Sequence, residues 1–97
     1  MNDVRYHYFK FGKGVLTFFT KIDKSKNELC LGFSACSPKD NFVKETGRTI
    51  SSGRANKKPI LIPFSGHSYK DIENFIRNNS SLFPCWVRKH IKTFFWS

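Results

Sequence analysis

The segment Gly47-Arg48-Thr49-Ile50-Ser51-Ser52-Gly53-Arg54 concentrates side chains suited to holding an anion. Two Gly-Arg pairs stand six residues apart, and Lys44 precedes Arg48 by four positions, one helical turn. On a helix, Lys44, Arg48, Ser51 and Ser52, with Asn41 nearby, read as a face of cationic and hydroxyl donors. Guanidinium groups grip phosphate oxygens bidentately and hydroxyls add single hydrogen bonds. Arg54, Lys57 and Lys58 extend the row, while Glu45 beside Arg48 is the mark of an ordinary solvated helix face. A second basic set, Arg88, Lys89 and Lys92, is followed by Trp96, a pattern that suits a phosphate backbone with a stacked base. The same set would suit snorkelling at a membrane surface, but its short segment needs its apolar stripe for the core.

Residues for catalysis are scarce by comparison. His7, His67 and His90 fall in different segments, none with a Cys, Asp or Glu at metal-ligand spacing. Asp40 and Asp71 read as helix-start residues and Asp23 and Glu28 as turn residues, leaving few acids for a general acid/base pair. Cys36 precedes an expected helix start, where a thiol's pKa falls, and is the one candidate nucleophile. Gly12-Lys13-Gly14 lacks the length and the following Ser or Thr of a phosphate loop. The expectation is a protein without enzymatic activity, cofactor or metal.

Cys30, Cys36 and Cys85 make an odd set with no C-x-x-C. Cys30 and Cys36 fall on one face of a single strand, about 20 Å apart by strand rise, too far to bridge. They read as small buried apolar residues in a reducing cytoplasm. No signal-peptide core follows the first residues, and no run reaches the ~18 apolar residues of a membrane span.

Elements that could position these side chains need a core, and the composition supplies one. Of 97 residues, 39% are hydrophobic and 16% aromatic, with eleven Phe, enough for one domain spanning 1–97 and too apolar for a disordered chain. Seventeen Lys and Arg against seven Asp and Glu give a net charge of +10, pointing to a polyanionic partner. Nucleic acid fits first; an anionic membrane or an acidic protein face are the other classes.

Three strand-like runs open the chain, Val4 to Phe11, Val15 to Ile22 and Leu29 to Ala35, joined by Gly12-Lys13-Gly14 and a polar turn over 23–27. In the second run Leu16, Phe18 and Ile22 share one face, with Val15, Thr17 and Phe19 on the other; Leu29, Leu31, Phe33 and Ala35 are in phase. Tyr6, Tyr8, Phe9, Phe18 and Phe19 raise the question of an RNA-binding sheet face. The strand-helix order is wrong for an RRM, however, and these aromatics read as core. Ser37-Pro38-Lys39-Asp40 predicts a helix start, with Phe42, Val43, Thr46 and Ile50 as its inward stripe. Gly53 falls on that stripe. Pro59 to Phe64 predicts a brief edge strand. Ser68 opens a second helix with Ile72, Phe75 and Ile76 inward. A last helical segment begins at Phe83-Pro84, with Val87, Ile91, Phe94 and Phe95 aligned. The result is an α+β fold, β-β-β-α-β-α-α: an antiparallel meander plus one short strand, with two to three helices packed on one face.

Cys36-Ser37-Pro38-Lys39-Asp40-Asn41-Phe42, continuing to Gly47-Arg48, Ile50 and Gly53-Arg54, resembles a segment of small basic bacteriophage accessory proteins. That resemblance implies a phage factor working in a bacterial cytoplasm, of a kind that binds nucleic acid or a host enzyme, and carries no catalytic residue. Two functions therefore stand. One is nucleic-acid binding, DNA or RNA, through Lys44, Arg48, Ser51, Ser52, Arg54, Lys57 and Lys58, helped by Arg88, Lys89 and Lys92. The alternative is a protein-interaction module that binds and inhibits or redirects a host enzyme, or pairs as a homodimer, anchored by Phe94, Phe95 and Trp96.

Overall fold

A computed structural model describes residues 3–89. His90, Ile91, Lys92, Phe94, Phe95 and Trp96 lie outside the described residues, and with them the expected C-terminal stripe and interaction anchor.

Strands β1 (Asp3–Phe11), β2 (Gly14–Asp23) and β3 (Glu28–Cys36) form the meander, and β4 (Ile60–Pro63) adds antiparallel to β3, giving the order β1-β2-β3-β4. The connections carry their own chemistry. Gly12 has φ 64° and opens a two-residue turn between Phe11 and Gly14, the positive φ that a type II′ hairpin demands at that place. At the β2–β3 turn, Asp23 Oδ1 accepts from Ser25 N (3.1 Å), Ser25 Oγ (2.7 Å) and Lys26 N (3.3 Å). Asn27, with φ 55°, completes the turn. These bonds to the ionised carboxylate hold Asp23 below the usual carboxylate range, the Ser25 hydroxyl contributing most.

Strand parity sorts the sheet into two faces. Phe9, Phe11, Leu16, Phe18, Ile22, Leu29 and Leu31 point to one, where α2 (Ser68–Asn78) brings Ile72, Phe75 and Ile76. Phe83 and Val87 complete this core, Val87 from a third helical segment, α3, described over 85–89. Gly14 leaves room for Trp86 there, since a Cβ on Gly14 would meet the indole at 2.5 Å.

The opposite face belongs to α1 (Lys44–Lys57), whose buried residues are Gly47, Ser51 and Ala55. A Cβ on Gly32 of β3 would meet Ser51 O at 2.2 Å and Ala55 N at 2.5 Å, so the helix backbone lies directly on the strand. The Ser34 hydroxyl, next on that face, donates to Gly47 O at 3.2 Å. The helices therefore cover both faces, not one, and the sheet is the middle of three layers.

Other expectations change with α1. The helix starts at Lys44, not Ser37: residues 37–40 form a turn in which Asp40 N bonds Ser37 O and Lys39 N bonds Ser37 Oγ. The serine that signalled a cap closes its own turn instead. Val43 and Ile50, expected inward, are 53% and 40% exposed, because small residues spaced four apart, not large apolar ones, make the contact. Gly53 touches nothing a Cβ would reach. Asp71 is not a cap; at the end of the first turn of α2, its carboxylate accepts from Ser65 N (3.0 Å) and Ser65 Oγ (2.6 Å), pinning the loop before the helix.

Candidate nucleic-acid interface

Because α1 lies over β2 and β3, the same face of edge strand β1 is left beside the helix rather than beneath it. Tyr6 and Tyr8 point to that face, each half-buried. Phe19 packs edge-on to Tyr6 with ring centroids 5.6 Å apart, and Phe42, from the loop before α1, does the same to Tyr8 at 5.9 Å. Each phenol ring is thus braced by a phenylalanine at a T-shaped angle.

Cations from α1 lean over these rings. Arg48 Nε donates to Tyr8 Oη at 2.7 Å, and its guanidinium carbon sits 5.4 Å from the centre of the Tyr6 ring. Lys44 Nζ lies 5.3 Å from the centre of the Tyr8 ring. Lys10, exposed, ends the same face of β1. An Arg lying over one ring and hydrogen-bonded to the next is pre-organised, which would lower the entropy lost on binding an oxyanion. Glu45 is not its partner.

The remaining members of the expected row separate. Ser51 is fully buried against the sheet and donates to Arg48 O at 3.2 Å, so it is not available to a ligand. The Ser52 hydroxyl donates to Thr49 O, also at 3.2 Å. Arg54 projects from the other flank of the helix and donates from Nη1 to Phe33 O at 2.9 Å, past the point where β4 stops pairing with β3. Lys57 and Lys58 are exposed at the end of α1. Arg88 and Lys89 are exposed on α3, with the sheet between them and α1. Tyr6 and Tyr8 were read as core and are half-buried on the other face of the sheet; strand parity, which sets them opposite Phe9 and Phe11, was the signal for that placement.

The candidate nucleophile loses its support. With α1 beginning at Lys44, Cys36 is not at a helix start, and its Sγ contacts Ser37 O at 3.7 Å and Asp40 O at 3.8 Å. Cys30 and Cys36 are partly exposed and Cys85 is exposed, all three as free thiols; burial pushes the Cys30 thiol up. Among the described residues no three His, Cys, Asp or Glu side chains cluster as metal ligands. No described helix is long and apolar enough to cross a membrane.

Comparison with protein-family models, curated proteins and solved structures gives no match.

Proposed function

We propose that this chain is a non-enzymatic nucleic-acid-binding protein that takes a single strand across β1, with Tyr6 and Tyr8 as the stacking row and Lys44 and Arg48 as phosphate contacts. The observation that carries this reading is Arg48 itself, bonded to Tyr8 and lying over Tyr6. Stacking rings alternating with fixed cations suit a strand whose bases are splayed out, and are tolerant of sequence because every base has a π-face. A duplex hides those faces. The net charge of +10 supports the reading by drawing a polyanion to any side of the molecule, with Lys57, Lys58, Arg88 and Lys89 adding to that field.

The test is the affinity of a short single strand for the protein and for its Lys44→Glu/Arg48→Glu variant. Both side chains are exposed, so the fold is expected to survive, checked by circular dichroism. Affinity should fall by about tenfold or more, since two charge-assisted contacts become repulsive. Unchanged affinity in a folded variant would remove this face from the account.

A further inference from the structure

On the opposite face of the sheet, a cleft of about 420 Å³ lies between the ends of β1 and β2 and the start of α2. Its lining includes Arg5, His7, Lys24, His67 and Ser68. Arg5, Lys24 and His67 are exposed, and no carboxylate is among the residues described as lining it. Four basic side chains therefore converge from three separate parts of the chain, the β1 strand, the β2–β3 turn and the loop before α2.

We propose that this cleft binds a phosphate monoester, with Arg5 and Lys24 supplying the charge and His67 and Ser68 the hydrogen bonds. The placement of the floor supports it. Asp71 fixes Ser65 by two hydrogen bonds, and Gly66, at φ 106°, turns the chain so that His67 becomes the first flanking residue of α2. His67 makes no side-chain capping bond, so the first amides of the helix have no capping acceptor. The start of the helix lines the cleft through His67, Ser68 and Tyr69, and a helix N-terminus favours negative charge. The Ser68 hydroxyl hydrogen-bonds His7 Nε2 at 3.2 Å, which sets its rotamer within the cleft. Guanidinium, ammonium, imidazole and hydroxyl groups around an open helix start match the three oxygens and double charge of a terminal phosphate.

This site stands on different residues from the stacking row and does not depend on it. The phosphate could be the end of a nucleic-acid strand or belong to a free mononucleotide. The experiment titrates the isotope-labelled full chain with inorganic phosphate at constant ionic strength, reading amide and imidazole resonances. Saturable shifts at Ser68, Tyr69 and the His67 ring are expected. In Arg5→Ala/Lys24→Ala, which alters two exposed side chains, the dissociation constant should rise by about tenfold or more. The same titration of Lys44→Glu/Arg48→Glu should match the parent, and strand binding left unaltered in that variant would defeat the stacking-row reading while leaving this proposal standing. Adenosine monophosphate, and one oligonucleotide with and without a terminal phosphate, then separate the two sources. Shifts that do not saturate, or a dissociation constant unaltered in Arg5→Ala/Lys24→Ala, would overturn the site.

Discussion

Arg48 and Tyr8 can be separated by substitution because each does a distinct job. Tyr8→Phe removes only the hydroxyl that accepts from Arg48, leaving the ring for stacking. Tyr8→Ala removes the ring as well, and should weaken single-strand binding by about 1–3 kcal/mol, the worth of one stacked base, while Tyr8→Phe changes it much less. Equal losses in the two variants would mean that the ring matters only for holding Arg48. His7 offers a different test. Burial, and then the charge of Arg5, push its pKa below the usual histidine value, so the folded state favours neutral imidazole. The unfolded chain binds the proton more readily, and stability is therefore full above the ordinary pKa of about 6.5 and lost as pH falls from there through the lowered folded value. Urea midpoints should drop across that window in the parent and drop less in His7→Gln.

At the level of elements, the helix that carries Arg48 is held by the absence of side chains. Gly32→Ala would push a methyl group into the backbone of α1 at Ser51 and Ala55, atoms that cannot swing aside, and should cost about 2–3 kcal/mol. Gly53→Ala, in the interior of the same helix with nothing near its Cβ, should gain about 0.5–1 kcal/mol. Chemical denaturation measures both, and the opposite signs are the point. The same physics explains what could and could not be read from the sequence. The strands were legible because Leu16, Phe18 and Ile22 alternate with Val15, Thr17 and Phe19, and α2 because Ile72, Phe75 and Ile76 share a stripe. α1 was legible as a helix but not in its facing: Gly47, Ser51 and Ala55 carry almost no hydrophobic signal, whereas Ile50 and Val43 carry a strong one and remain exposed. Its start was displaced because Ser37 makes the same local bonds in a turn as at a cap. For the interface, Arg48 and Lys44 could be picked out by charge and spacing. Their pairing with Tyr6 and Tyr8 could not, since it depends on which strand is left uncovered by the helix.

Across the whole molecule, two polar regions occupy opposite faces of one sheet and share β1 as a rib. Arg5 and His7 point one way from it; Tyr6 and Tyr8 point the other. Neighbouring residues on a strand are only about 3.3 Å apart along its axis, so a ligand folded over this open edge could meet both regions within a few residues. The high net charge acts at this scale too. It raises the encounter rate with any polyanion and makes every such affinity fall as salt rises, whichever face is engaged. Charge alone would therefore favour a duplex, with its denser phosphates, while the stacking row favours a single strand. The measurement that bears most directly on the account is binding of matched single- and double-stranded oligonucleotides to the full chain, titrated across salt. The account predicts tighter binding of the single strand, with a preference that persists at physiological salt and is lost in Tyr6→Ala/Tyr8→Ala. Binding to neither form at physiological salt, or a preference for the duplex, would contradict it.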